Sequence, residues 1–63
     1  MNFEDFCTKL AVIQSDFLSV DHTLDIKRDL FGRKRMQNLT EKELDKLVNA
    51  YRWAYRTKLK KGI

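Results

Sequence analysis

From Leu44 onward apolar residues recur at steps of three and four, at Leu44, Leu47, Val48, Tyr51, Ala54, Tyr55 and Leu59. That spacing places them on one face of an α-helix. The start of this helix is marked twice. Thr40 followed by Glu43 is a capping box, in which each side chain can satisfy the other residue's backbone N–H. Leu39 and Leu44 stand where a hydrophobic staple closes around such a cap. The predicted helix runs over about 41–60 and ends near Gly62, with Lys58, Lys60 and Lys61 where the last carbonyls favour cations.

A second amphipathic pattern opens the chain. Asn2 is a good N-cap, Glu4 and Asp5 fall in the first turn, and Phe3, Phe6, Leu10, Ile13, Phe17 and Val20 follow at alternating steps of three and four. Cys7, Ala11 and Leu18 widen this stripe, and Val12 alone falls on the polar side, where a single exposed valine is ordinary. Ser19, Val20, Asp21, His22 and Thr23 are mediocre helix formers and three of them are good caps. A break is therefore expected here, with Asp21 or Thr23 capping a second helix that carries Leu24, Ile26, Leu30 and Phe31 and closes at Gly32. The competing pattern is one unbroken helix from Phe3 to Phe31. The expected architecture is all-α, a single domain over 1–63, either a helical hairpin or a small three-helix fold with helices about 3–19, 23–31 and 41–60.

A chain of 63 residues is near the lower limit for a self-sufficient core. Phe6, Ile13, Ala54 and Tyr55 are numerous enough to want a second layer, so a homodimer is expected. The single cysteine allows no internal disulfide, and one histidine is too few for the usual zinc sets. The longest apolar run, Leu10 to Ile13, is far too short to span a membrane, and the acidic start is unlike a signal peptide. These features point to the cytoplasm. Charge is divided unevenly: up to Asp25 five acids face Lys9, and from Ile26 onward twelve bases face four acids. The two halves are expected to attract each other if they fold antiparallel.

Catalysis finds little support. Cys7 and His22 could in principle form a thiolate pair, but Cys7 lies on the apolar stripe and reads as a small core hydrophobe. No glycine-rich phosphate loop is present, so neither catalytic residues nor a cofactor or metal site is expected. Phe3, Phe6, Phe17 and Phe31 read as core, and Tyr51 and Tyr55 as core and rim.

Function is better sought on the last helix. Turning it by 100° per residue puts Trp53 about 180° from the leucine and tyrosine stripe, surrounded by Lys42, Lys46, Asn49, Arg56 and Lys60. Tryptophan and arginine are the residues that most often anchor interfaces. The candidate partner-binding residues are thus Trp53, Lys46, Asn49, Arg56 and Lys60. The opposing reading packs Trp53 against the middle helix of a three-helix fold. A second function class also stands: these bases, with Lys27, Arg28, Arg33, Lys34 and Arg35, could neutralise phosphates while the indole stacks on bases.

The run Leu39, Thr40, Glu43, Leu44, Ala50 resembles the last helix of the Hha and YmoA group of small nucleoid-associated modulators, but Ala54 stands where that group carries an arginine. Over its full length, from MNFEDF to NAYRWAYRTKLKKGI, the chain resembles the short early proteins of lambdoid phages encoded between the exonuclease and excisionase genes. That resemblance implies an early accessory protein that binds host proteins in the host cytoplasm and perturbs the host cell cycle or the lysis and lysogeny decision. It carries over no functional residue.

Overall fold

The structure, a computed structural model, describes the backbone of residues 1–61 and the side chains of residues 1–57. Three α-helices, α1 (Phe3–Asp16), α2 (Val20–Phe31) and α3 (Glu41–Lys61), are joined by a tight corner and by a connection that contains a 3-10 turn at Met36–Asn38. The fold is all-α with three helices, and no strand occurs among the described residues. The expectations for Lys58, Leu59, Lys60, Lys61 and Gly62 concern side chains or residues outside those described.

Local chemistry sets most helix ends. Asn2 caps α1, its Oδ1 accepting from the Asp5 N–H at 2.8 Å. At α3 the capping box is present in both directions: the Glu43 N–H donates to Thr40 Oγ1 at 3.2 Å, and the Thr40 N–H donates to Glu43 Oε1 at 2.9 Å. Lys34 Nζ meets the same carboxylate oxygen at 2.8 Å. The Lys34 hydrogen bond and then the Thr40 N–H hold the Glu43 carboxyl below its ordinary range. Gly32 ends α2 with φ 62 and ψ −130, and the Lys34 N–H donates to the Phe31 carbonyl. This is the geometry of a type II′ turn, which requires glycine at its first central position.

The corner between α1 and α2 departs from expectation. α1 stops at Asp16 instead of 19, and α2 begins at Val20 instead of 23. Ser19 is the cap, its Oγ accepting from the His22 N–H at 3.1 Å, where Asp21 or Thr23 was expected. Phe17 leaves helical geometry at φ −128, and the Ile13 carbonyl accepts from both Phe17 N–H and Leu18 N–H, each at 2.9 Å. The unbroken helix is thereby excluded. The cause is burial: breaking here turns Leu18 into the core, where it is 2 % exposed, a gain of about 2 kcal/mol over leaving it in water.

The core consists of Phe6, Ile13, Leu18, Leu39, Leu44, Leu47, Val48 and Tyr51, so the inward stripe of α3 is as expected. α3 packs against both α1 and α2. Phe6 and Ile13 are therefore buried within one chain, and their expected need for a second layer is met by the fold itself. The α1 and α2 stripes are narrower than expected. Cys7 is exposed, not a core residue, as are Ala11, Phe3, Phe17, Val20, Leu24 and Leu30. Of the four phenylalanines only Phe6 is buried, because α3 is the one element against which α1 packs broadly and it covers a single seam. Thr23 takes the central place on α2: it is fully buried, donates its hydroxyl proton to the Val20 carbonyl at 2.7 Å, and accepts from Gln14 Nε2 at 2.9 Å.

The expected attraction between an acidic and a basic half is not realised as ion pairs. Among the described residues the pairs are Lys34 with Glu43, both in the second half, and the Met1 ammonium with Asp45 at 3.4 Å. The acids of α1 and α2 point to solvent, since apolar packing leaves only outward positions for them.

Candidate partner surface on the last helix

The inward stripe of α3 fixes what its other side presents. With Leu44, Leu47, Val48 and Tyr51 held in the core, Trp53 must face outward, and it is 74 % exposed. Packing of Trp53 against the middle helix is excluded. Lys42, Lys46, Asn49 and Arg56 are exposed as well and lie within about 60° of Trp53 around the helix. None of the three bases in this group has a carboxylate at ion-pair distance among the described residues. Lys60, expected at the far end of the group, lies beyond the described side chains. Trp53, Lys46, Asn49 and Arg56 thus form one face of indole, amide and cations about 15 Å long.

The basic connection is partly committed to the fold. Lys27 donates to the Gly32 carbonyl at 2.9 Å and Lys34 pairs with Glu43, whereas Arg28, Arg33 and Arg35 are exposed. Of the five bases there, two therefore hold the chain's own backbone or cap in place.

A groove between α1 and α3 is a feature that the sequence pattern did not reveal. Thr8, Val12, Ile13 and Phe17 on one side and Val48 and Tyr55 on the other line a broadly open groove of about 230 Å³. Phe17 and Tyr55 close one end as stacked rings, 4.4 Å between centroids. Lys9 of α1 and Arg52 of α3 stand at the rims. The available signal was Val12, the one apolar residue out of register on α1; it is 51 % exposed and lines this groove. Arg52 connects the two features, since it lies between the groove and the Trp53 face on the surface of α3.

The groove offers no catalytic constellation: its titratable residues are Lys9, Arg52 and Tyr55. Among the described residues no group of His, Cys, Asp and Glu is gathered so as to hold a metal ion. No described helix is long and apolar enough to cross a membrane. Comparison with protein-family models, with curated proteins and with solved structures finds no match for this chain.

Proposed function

We propose that the chain is a non-enzymatic interaction protein whose outer α3 face docks on a host protein through Trp53. The observation that carries this reading is the exposure of that indole at the centre of a basic helix face. A tryptophan left in water by a small chain is a cost that a partner can remove, and burying such an anchor contributes on the order of 2 kcal/mol or more to binding. Lys46 and Arg56, with Lys60 beyond them in sequence, favour an acidic partner and speed its encounter, and Asn49 adds an adaptable hydrogen-bonding group. The specific form of the proposal follows the resemblance to lambdoid early proteins: an early accessory protein, acting in the host cytoplasm, that perturbs the host cell cycle or the lysis and lysogeny decision. Self-association at micromolar concentration accompanies this reading, through the exposed Val20 and Leu24, one turn apart on α2, which two copies can share by an isologous contact.

Two measurements test the Trp53 surface. Iodide should quench Trp53 fluorescence readily in the free protein, because the indole is accessible and the surrounding cations attract the anion. Trp53→Ala should leave helical circular dichroism unchanged and weaken a host partner recovered on the wild-type chain. A blue-shifted, unquenched indole, or loss of fold in Trp53→Ala, would refute the assignment.

A second reading rests on the same indole flanked by cations, which is also a platform on which single-stranded bases can stack. Salt separates the two. Phosphate contacts through several bases weaken steeply between low and moderate salt, whereas indole-anchored docking changes little.

A further inference from the structure

We propose that the groove between α1 and α3 receives a bulky apolar side chain from an acidic, amphipathic helical segment of the partner, with flanking carboxylates meeting Lys9 and Arg52. The proposal rests on the reading of α3 as the partner surface and assigns that partner a chemistry. Size comes first. A cavity of about 150 Å³ already admits a benzene ring, so the 230 Å³ here accommodates a leucine or phenylalanine side chain inserted from the open side. Val12, Ile13 and Val48 give that side chain an apolar floor.

Charge then selects the flanks. Lys9 and Arg52 stand on opposite walls, one on each helix, and neither has a carboxylate at ion-pair distance among the described residues. An apolar slot between two free cations complements a segment whose apolar anchor is flanked by acids, the pattern that one face of an amphipathic helix presents at three- and four-residue spacing. Arg52, about 100° from Trp53 around α3, borders the groove and is the residue through which the segment filling the groove meets the edge of the Trp53 face.

Two other occupants fit less well. A second copy of this chain carries Val20 and Leu24 beside Asp21 and Asp25 on α2, which has the required chemistry. However, α2 meets α1 at the Gln14–Thr23 bond, and Gln14 lies about 160° around α1 from Val12. Groove and α2 are thus on opposite sides, and copies joined that way would extend head to tail without closing. A nucleic acid would use the cations but not the apolar floor.

The test uses a labelled helical peptide with a central Leu and Phe one turn apart, flanked by glutamates, titrated into the full chain and followed by anisotropy and by amide chemical shifts. Saturable binding with shifts at Val12, Val48 and Arg52 is expected. Replacing the glutamates by glutamine, or the Leu and Phe by alanine, should weaken it by about tenfold or more. Val12→Asp should do the same while leaving circular dichroism unchanged, because Val12 is half exposed. Arg52→Glu gives a second disruption that does not depend on the groove floor.

Failure of the peptide to bind, or binding unaffected by both Val12→Asp and Arg52→Glu, would overturn the groove proposal. A single-stranded oligonucleotide that shifts the groove amides where the peptide does not would overturn it as well. Trp53→Ala separates this proposal from the one it rests on. Peptide binding lost in Trp53→Ala but kept in Val12→Asp and Arg52→Glu retains the indole surface and removes the groove. Binding lost in Val12→Asp but kept in Trp53→Ala does the reverse.

Discussion

The chain turns twice, and the two turns are built on different kinds of information. Between α2 and α3 the helix ends are set locally, and Lys34 adds one longer tie to Glu43. Gly32 takes the positive φ, Thr40 and Glu43 exchange hydrogen bonds across four residues, and Leu39 and Leu44 bracket the cap from the core side. Between α1 and α2 there is neither glycine nor capping box. Phe17 leaves the helix, the Ile13 carbonyl takes two N–H donors, and Ser19 restarts the chain because Leu18 has been drawn into the core and Thr23 has found Gln14. Both corners carry local caps, but the first turns where Leu18 enters the core, whereas the second turns where glycine and a capping box direct it.

If this contrast is correct, the largest effect belongs to the corner without glycine or capping box. Leu18→Ala removes a fully buried side chain at the pivot and should cost about 2–5 kcal/mol. Total stability for a domain of this size is of the order of 3–9 kcal/mol, so the urea midpoint should fall by a large fraction of its wild-type value. A loss below about 1 kcal/mol would mean that the corner is set locally by Ser19 after all. Thr23→Val comes next. The shape is kept, but the hydroxyl that joins Val20 to Gln14 is lost, and a cost of about 1–2 kcal/mol is expected. Thermal melts should show it lowering the melting temperature by more than a cap mutation does.

The same contrast explains what could be read from the sequence. The all-α class, the inward stripe of α3, both caps at Asn2 and Thr40, the turn at Gly32 and the outward direction of Trp53 all follow from residues within a few positions of one another. Leu18 and Val20 could not be placed that way. In helical register Leu18 widens the stripe at its edge and Val20 extends it, yet Leu18 is buried and Val20 is 54 % exposed, because the break shifts the register by the residues it removes from the helix. Cys7 was misplaced for a related reason, since only a partner helix decides how wide a stripe is covered. The groove was hidden too. It needs Val12, on what the pattern marks as the polar side, to stand near Val48 and Tyr55, and that proximity exists only once α1 has packed on α3.

At the locally built corner, effects should be smaller and should stay local. Thr40→Ala removes the acceptor of the Glu43 N–H and should cost about 1 kcal/mol, lowering the melting temperature by roughly 4–8 °C in a domain this small. Amide shifts should change at the start of α3 and leave Ser19 to Thr23 untouched. A response at the α1 to α2 corner would show that the two turns are coupled and that their separation is false.

The smallest expected effect tests α3's inward face, where sequence and structure agree on position but not on chemistry. Tyr51 is 0 % exposed, and its hydroxyl has no hydrogen-bond partner among the described residues. The pattern places a ring here beside Phe6, which the packing supplies at 6.4 Å between centroids; nothing in the pattern supplies a partner for the oxygen. An unsatisfied buried hydroxyl is unfavourable, so Tyr51→Phe should leave stability unchanged or raise it by up to about 1 kcal/mol, in contrast to every other core substitution. The pH dependence gives an independent sign. Burial pushes the phenol up from its ordinary 10.0 to about 12, so below about pH 10 the neutral ring is present in both folded and unfolded chains and Tyr51 adds no slope. As pH rises from 10 through 12 the unfolded chain loses this proton first, and stability falls. Tyr51→Phe should abolish that part of the alkaline loss. A Tyr51→Phe chain that is less stable at neutral pH and loses stability with the same alkaline slope as wild type would show that the hydroxyl is satisfied in solution, and that the interior of α3 is as well matched in chemistry as in position.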